Sequence, residues 1–174
     1  MATFQSKDIT EYILDTSVLI LLFEKCHLRE ELLKFSKTNA LYVPSKVEAE
    51  YFRGNGTGEG TVEFKQIFKS INPTLENDIL PYFNFQDEFG EVWVISYAIK
   101  NPNCYCVIDE QLGRNVCDVF NLKLTGTVGI IDQMKKLNYF SNEKMMEIRQ
   151  TIRTCGFYLS KEMCKELDRI CLGH

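Results

Sequence analysis

The chain has 174 residues, of which 45% are hydrophobic and 12% aromatic, and its 20 basic and 24 acidic side chains give a net charge of −4. This length and hydrophobic content predict one domain, spanning 1–174, with a sizeable buried core, and they exclude an intrinsically disordered chain. No apolar run reaches the roughly 18 residues that a membrane span requires, so we expect neither a membrane helix nor a signal peptide.

The charge balance bears on nucleic-acid binding. A protein that binds nucleic acid only by neutralising phosphates is usually basic, whereas acidic residues are in slight excess here. Either the acidic residues serve a purpose such as metal binding, or nucleic acid is not the partner. The composition leaves both interpretations open.

The cysteines bear on the cellular compartment. There are seven of them, which is an odd number, and no C-x-x-C pair occurs. Most fall at apolar positions of the predicted helices and strands, which is typical of small buried side chains. We therefore expect reduced thiols and a cytoplasmic protein.

The first half of the chain predicts strands that alternate with helices. A short strand at 12–14 ends at Asp15, and Thr16 and Ser17 supply capping hydroxyls for a helix that reaches about Lys25. The next predicted elements are a helix at 29–36, a strand at 40–43, a helix from 44 to about 52, a helix at 62–68, an extended pair at 71–72 and a helix at 75–82. Four glycines within 53–60 predict an irregular surface loop.

The second half continues the alternation and ends in helices. The predicted elements are a mostly buried helix that begins after Asp87 and stops near Asn101, a strand at 105–108, a helix at 111–120, a strand at 122–125 and a helix at 128–137. Two further helices, 142–154 and 160–172, form a helical C-terminal extension at 139–174. Gly156 suits the end of the first of these helices, and Ser160 suits the N-cap of the second. Such an alternation predicts an α/β fold with three layers, α/β/α, and a central, mostly parallel sheet.

Acidic residues recur at the ends of these strands and the beginnings of these helices. Asp15 and Asp109 each follow a strand, and ligands bind outside the carboxyl ends of parallel strands, so both should lie at one crevice if their strands are neighbours. Glu50 lies in the helix after the second strand, and Glu91 begins the helix that precedes the Asp109 strand. Clustered carboxylates repel one another unless a cation lies among them, and hard oxygen ligands select Mg²⁺ or Mn²⁺.

A plainer interpretation of the same acids stays open. Acids at the beginnings of helices commonly cap the helix or complement its dipole, a role that Asp15 alone fits as well as metal binding and that Glu91 alone, in a first turn, fits better. Glu50 alone is typical of a solvated surface residue. The two histidines, His27 in a charged stretch and His174 at the last position, offer no His-based alternative. Only the acids taken together favour a metal site that cuts a phosphodiester.

The motifs that carry these acids resemble, in the right order, the sequence blocks of PIN-domain nucleases. The matching stretches are Tyr-Ile-Leu-Asp-Thr-Ser at 12–17, Val-Pro-Ser-Lys-Val-Glu-Ala-Glu at 43–50, Gly-Glu-Val-Trp-Val-Ile-Ser-Tyr-Ala at 90–98, Val-Ile-Asp-Glu-Gln-Leu-Gly-Arg at 107–114 and Leu-Thr-Gly-Thr-Val-Gly at 124–129. The closing Cys-Gly-Phe-Tyr-Leu-Ser at 155–160 is similar to the tail of the toxin-like branch, the VapC-type toxins. The resemblance spans nearly the whole chain.

This resemblance implies a PIN-like fold and a Mg²⁺- or Mn²⁺-dependent endoribonuclease. It also implies that Asp15, Glu50, Glu91 and Asp109 are catalytic and hold the metal. Asp109-Glu110 stands where the branch often has two aspartates, so either one contacts the metal, and Asp109 is preferred. Members of the branch are often the toxin of a toxin–antitoxin pair, inhibited by a small antitoxin protein and commonly homodimeric.

Side chains near these acids are candidates for contacts to RNA. Thr16 or Ser17 would hydrogen-bond to a water molecule or to the phosphate, and Thr127, at a helix start, would do likewise. Candidates for contacts to backbone phosphates are Arg114, Lys123, Lys135 and Lys136. If the acids serve only as helix caps, the chain is instead a non-catalytic PIN-like module that binds RNA or a partner protein.

Overall fold

A five-stranded parallel sheet forms the centre of the protein. The computed structural model describes residues 9–55, 60–157 and 159–172. The strands are β1 (Thr10–Leu14), β2 (Asn39–Pro44), β3 (Lys69–Ile71), β4 (Tyr105–Val107) and β5 (Leu124–Thr125), in the order β3-β2-β1-β4-β5. Every neighbouring pair in this sheet is parallel. Helices flank the sheet, so the predicted α/β class with a parallel central sheet is confirmed.

The helices follow the predicted order. They are α1 (Thr16–Leu19), which continues as a π-helical segment (Ile20–Lys25), α2 (Arg29–Phe35), α3 (Ser45–Asn55), α4 (Gly60–Ile67), a 3₁₀ helix (Asn77–Phe83), α5 (Gly90–Lys100), α6 (Gln111–Val119), α7 (Thr127–Lys136), α8 (Asn142–Thr154) and α9 (Lys161–Leu172). The 3₁₀ segment, predicted as an ordinary helix at 75–82, contains Pro81. Proline has no N–H to donate, so an α-helix would lose one of its backbone hydrogen bonds at this position. A short 3₁₀ helix, which winds more tightly, is therefore favoured.

The segment at 53–60 is more regular than predicted. Residues 53–55 continue α3 and Gly60 begins α4, so the loop prediction is wrong for these positions, and 56–59 lie outside the described residues. Aromatic packing explains the difference. The rings of Tyr51 and Phe52 on α3 each lie 5.0 Å from the ring of Phe64 on α4, between centroids. Such contacts hold both helices against each other and outweigh the weak helix propensity of glycine.

The C-terminal helices share their hydrophobic core with the sheet. Met145 of α8 and Leu167 of α9 belong to the same buried cluster as Ile13 of β1. The turn between the two helices forms as the sequence predicts: Gly156 has a φ of +81° just after α8, and the Ser160 hydroxyl accepts a hydrogen bond from the Met163 N–H at 3.2 Å. The C-terminal segment is therefore fixed against the rest of the protein.

The topology brings Asp15 and Asp109 to one end of the sheet. β1 lies between β2 and β4, and the Asp15 N–H donates to the Val107 carbonyl at 3.2 Å. The chain moves outward from β1 through β2 to β3 and then returns to the other side of β1 as β4. A crevice opens at the carboxyl ends of strands where the order reverses in this way. The two strands are neighbours, which is the condition under which the sequence placed Asp15 and Asp109 at one crevice.

Two further sequence expectations concern cysteines and membranes. All seven cysteines lie within the described residues, and all are free. In the part of the chain that the structure describes, no helix combines the length and the apolar character needed to cross a membrane.

Candidate active site

Asp15 occupies the turn between β1 and α1. Its extended backbone, with φ −84° and ψ 163°, lets the side chain cap α1: Oδ2 accepts from the Ser17 N–H at 3.4 Å and from the Ser17 hydroxyl at 2.9 Å. The residue is only 4% exposed. Burial raises the pKa of Asp15 to about 6 although Thr16 and Ser17 donate to it, and the charge of Glu50 adds to the rise.

Glu91 lies in the first turn of α5 and is 7% exposed. Burial raises its pKa to about 8, and the negative charges of Asp15 and Glu110 add to the effect. Two glycines make room for these close approaches. A methyl group on Gly90 would overlap with Asp15 Oδ1, and one on Gly113 would lie 3.0 Å from Cγ of Glu91. Helices α5 and α6 can therefore pack directly around the acids.

Asp109 follows β4 and faces the beginning of α7. Its Oδ1 accepts from the Thr127 N–H at 2.8 Å, and its Oδ2 accepts from the Thr127 hydroxyl at 2.6 Å. Burial raises the pKa of Asp109, while the hydrogen bonds from Thr127 and the charge of Arg114 act in the opposite direction. A methyl group on Gly126 would overlap with Asp109 Oδ1, so this carboxylate lies directly against the α7 N-terminus.

Glu50 and Glu110 are the exposed members of the site. Glu50 Oε2, on α3, accepts from the Thr16 hydroxyl at 2.7 Å, and Glu110 lies beside Glu91, whose pKa it helps to raise. Electrostatic repulsion links all five acids as a series of neighbours: Glu50 with Asp15, Asp15 with Glu91, Glu91 with Glu110, and Glu110 with Asp109. The structure therefore brings together every acid that the sequence singled out.

The donor chemistry of this series fits a hard divalent cation. Its potential ligands are carboxylate oxygens, which Mg²⁺ and Mn²⁺ prefer, and the raised pKa values show that the buried negative charge is poorly compensated by the protein. Among the described residues, however, no three acid, histidine or cysteine side chains are close enough to chelate one ion in their present rotamers. The acids lie in successive pairs, so the fit rests on their chemistry and not on a completed ligand cage.

Sequence comparison agrees with this arrangement. A family model described as a PIN domain (DUF3368) matches residues 11–170. The chain belongs to the PIN-domain family. PIN domains are generally nucleases, a class of hydrolases, and typically use divalent metals. A search of curated proteins found no match.

Arg114 has a structural position in this PIN domain. Its Nη1 donates two hydrogen bonds, to the Ile108 carbonyl at 2.8 Å and to the Thr125 carbonyl at 3.5 Å. These bonds join the segments that follow β4 and β5, directly beside Asp109. The guanidinium group therefore supports the acidic end of the sheet, whatever contact it makes with a substrate.

The lysines proposed as phosphate contacts are not brought to the acids. Lys123 precedes β5 and so lies at the opposite end of that strand, with its Nζ 5.4 Å from the centre of the Tyr105 ring. Helix α7 begins at the acids and runs away from them, which places Lys135 and Lys136 at its far end. The direction of α7 therefore leaves its two lysines as candidates only for contacts to phosphates away from the acids.

A pocket of about 310 Å³ opens beside the acids of the PIN domain. Its lining residues are Ser17, Asp109, Glu110, Gln111, Phe157 and Ser160. The sequence indicated Phe157 only as part of the closing motif and Ser160 only as part of that motif and as a helix cap, and it indicated no role for Gln111. The one available signal was that motif itself, which lies far from the acids along the chain. A larger cavity of about 730 Å³ lies at the amino ends of the strands, beside Thr10 and Asn103.

Proposed function

We propose that this PIN domain is a metal-dependent endoribonuclease that hydrolyses phosphodiester bonds in RNA. The observation that carries the proposal is a group of three carboxylates with raised pKa values at one end of the sheet. Asp15 and Asp109 follow neighbouring parallel strands, and Glu91 lies in the first turn of α5. Asp15 and Glu91 are buried, and Asp109 is half-buried. Burying acids that repel one another destabilises a protein. A cation-binding function accounts for this arrangement, because a divalent cation would compensate the charge.

We assign metal binding to Asp15, Glu50, Glu91 and Asp109, with Glu110 as a further oxygen donor. A divalent cation bound there supplies two things: it lowers the pKa of a water molecule and it stabilises negative charge that develops on the phosphate. The protein's own part is to hold the carboxylates in position. The hydroxyl groups of residues 16, 17 and 127 do so by donating hydrogen bonds to Glu50, Asp15 and Asp109, respectively.

Charge makes RNA binding depend on the metal in this proposal. The acidic end of the sheet repels a phosphodiester, and the three lysines considered above lie away from it. The hydroxyls of Thr16 and Ser17 and the guanidinium of Arg114 are proposed as polar contacts to the substrate beside the acids. These groups would orient the RNA, whereas a bound cation would attract its negatively charged phosphate. Thr127, which the sequence also suggested for this role, is fully buried and donates its hydroxyl to Asp109, so it acts on the substrate only through that carboxylate.

A non-catalytic PIN-like module is the second candidate, and the capping contacts favour it. Asp15 caps α1, and Asp109 accepts from the first backbone N–H of α7 through one carboxylate oxygen and from the Thr127 hydroxyl through the other. These are stabilising roles that acids fulfil without any metal. In this alternative the chain binds RNA or a partner protein and cuts nothing.

The resemblance to the toxin-like branch supports a more specific proposal. In it, the chain is the toxin of a toxin–antitoxin pair, a homodimer in the cytoplasm that a small antitoxin protein inhibits. The closing motif at 155–160 is the feature that supports it.

The deciding experiment is cleavage of labelled single-stranded RNA and transfer RNA by the purified protein with Mn²⁺ or with EDTA. The test variant is Asp15→Asn with Asp109→Asn, because asparagine keeps an oxygen that can cap the helix but loses the charge. The matched control is Asp78→Asn with Asp118→Asn, which changes two exposed aspartates outside the site. Cleavage that needs Mn²⁺ and is lost only in the test variant supports the nuclease. A folded wild-type protein that cuts neither RNA with any metal supports the binding module.

A further inference from the structure

The pocket beside Asp109, here called the Phe157 pocket, lies between the end of the sheet and the C-terminal segment. Asp109 and Glu110 enter it from the end of β4, and Ser17 enters it from the start of α1. Phe157 and Ser160 enter it from the turn between α8 and α9. If a phosphate of an RNA strand lies at the acids, the nucleotide next to that phosphate therefore lies at the mouth of this pocket.

The C-terminal wall of the Phe157 pocket is held in place. The Ser160 hydroxyl and carbonyl accept from the N–H groups of Met163 and Cys164, at 3.2 and 2.9 Å, and so begin α9. Met163 in turn packs against Gly126, where an added methyl group would lie 3.3 Å from the Met163 Cε. Phe157 itself is half-buried against the hydrophobic core. Its ring is therefore a supported surface.

The lining of the pocket selects against a phosphate group. Among the described residues, no lysine or arginine lines it, whereas two carboxylates do, and most of its remaining wall is apolar. The aromatic ring of Phe157 offers a flat face, while Ser17, Gln111 and Ser160 offer groups that both donate and accept hydrogen bonds. A flat, uncharged ring with polar edges fits this combination.

We propose that the Phe157 pocket binds one unpaired nucleobase of the RNA, stacked on Phe157, while the phosphate next to that base lies at the acids. The inference rests on the proposed nuclease function and adds a positioning element to it. Bases within an A-form duplex stay stacked on their neighbours and cannot enter such a pocket. The substrate is then a single-stranded loop or end in which one base is free to turn outward.

Two readouts test this proposal on the full chain. Anisotropy measures the binding of a short labelled single-stranded RNA in Ca²⁺, a cation with the same preference for oxygen ligands, and gel analysis measures its cleavage in Mn²⁺. An abasic nucleotide is moved along the RNA one position at a time. One position should weaken binding by about 5- to 150-fold, the range expected for a base stacked on an aromatic side chain.

The matched variants are Phe157→Leu, Phe157→Tyr and Phe140→Leu. Phe157→Leu should weaken binding of the intact RNA by a similar factor, and the abasic nucleotide should then cost nothing more, because both changes remove the same contact. Phe157→Tyr keeps the ring and should bind like the wild type. Phe140 is another half-buried phenylalanine, outside the pocket lining, so Phe140→Leu should leave binding unchanged.

A second variant covers the case in which Phe157→Leu fails to fold. Gln111 is exposed at the start of α6, so Gln111→Ala should fold normally and weaken binding only when the base is present. The thermal midpoint of every variant is measured beside the wild type. The proposal is overturned if the variants lose RNA binding in proportion to their fall in thermal midpoint and if this loss is the same for intact and abasic RNA.

The outcomes separate this inference from the nuclease function. Suppose that cleavage depends on metal, but the fold-losses in RNA binding caused by Phe157→Leu and by the abasic nucleotide multiply when the two changes are combined. That result overturns the base pocket and still supports the nuclease function. Coupled losses in binding, with no cleavage under any metal, support the pocket and overturn the nuclease. A folded protein that neither binds nor cuts single-stranded RNA overturns both, and the pocket is then left to a protein partner.

Discussion

The Thr127 hydroxyl donates to Oδ2 of Asp109 at 2.6 Å, and the backbone N–H of the same residue donates to Oδ1 at 2.8 Å. One residue at the start of α7 thus holds both oxygens of a carboxylate that follows β4. Thr127 is fully buried, so both bonds form away from water. The carboxylate acts as a helix cap, and its orientation toward Glu110 and the pocket is fixed by the same two bonds.

Removing this hydroxyl should weaken both the fold and the site. Thr127→Val keeps the size of the side chain but leaves Asp109 Oδ2 without its donor, so we expect a loss of about 1–3 kcal/mol in the free energy of unfolding, measured by urea denaturation. Cleavage in Mn²⁺ should fall as well, because the carboxylate loses its orientation. Thr127→Ser is the control: it retains the hydroxyl and should retain cleavage. Equal cleavage by the valine variant and the wild type would contradict an orienting role.

The buried acids make stability depend on pH in a direction opposite to that of most carboxylates. Their pKa values in the folded protein, about 6 for Asp15 and about 8 for Glu91, exceed the unfolded values of about 4. The folded state therefore holds these protons more tightly, and the stability they provide is full below about pH 4 and is lost as the pH rises through 6 and 8. In EDTA, we expect the contribution of these groups to the free energy of unfolding to fall over this range.

Glu91→Gln isolates the upper part of this dependence. Glutamine is nearly the same size and carries no charge, so the variant should be more stable than the wild type near pH 9 in EDTA, on the order of 1 kcal/mol or more, and similar to it near pH 5. Urea denaturation at a series of pH values measures both. The exposed acid Glu88 provides the control, because Glu88→Gln should leave the pH profile unchanged. A stability difference for Glu91→Gln that is constant with pH would show that Glu91 is not the titrating group.

Divalent metal should reverse the effect of high pH. A cation binds the ionised carboxylates and competes with protons, so Mn²⁺ should raise the thermal midpoint more at pH near 8 than at pH near 5. Differential scanning fluorimetry with and without Mn²⁺ measures the difference. In Asp15→Asn the rise should be smaller, whereas Asp78→Asn should behave as the wild type does. An equal rise in all three proteins would mean that Mn²⁺ binds elsewhere.

The sequence predicts the acids well because their positions follow from short-range patterns and one general rule. Asp15 and Asp109 each follow a short apolar strand, and parallel strands end at the same edge of a sheet. The order of those strands comes from the structure, yet any arrangement with β1 beside β4 brings the two residues together. The local caps at Asp15 and Ser160 are also predictable, since each involves residues two or three positions apart.

The contacts that complete the site are beyond such patterns because they join residues far apart in the sequence. Thr127 reaches Asp109 across 18 positions, and Thr16 reaches Glu50 across 34. The Phe157 ring reaches the pocket only because α8 and α9 pack on the core. The distance of the α7 lysines from the acids could not be predicted for the same reason, since the direction of a helix relative to a site depends on the sheet to which it connects.

Gly90 provides the most direct test of how closely α5 must approach the acids. A methyl group there would overlap with Asp15 Oδ1 and would lie 3.1 Å from Val47 Cγ2 and 3.3 Å from the Thr16 hydroxyl. These neighbours are themselves buried, so α5 would have to move away from the β1–α1 turn. Gly90→Ala should therefore cost about 1–3 kcal/mol in the free energy of unfolding, measured by urea denaturation, and should reduce the Mn²⁺-dependent rise in the thermal midpoint.

Gly54→Ala is the matched control for this substitution. Gly54 lies within α3, and an added methyl group would lie more than 4 Å from its neighbours among the described residues. Alanine is favoured over glycine inside a helix, so Gly54→Ala should raise the free energy of unfolding by about 0.5–1 kcal/mol and leave the response to Mn²⁺ intact. If the two alanine variants had the same stability and the same response to Mn²⁺, close packing of α5 against Asp15 would have no part in forming the site. Opposite signs of the two stability changes would instead show that the absence of a side chain at Gly90 is required by the acids beside it.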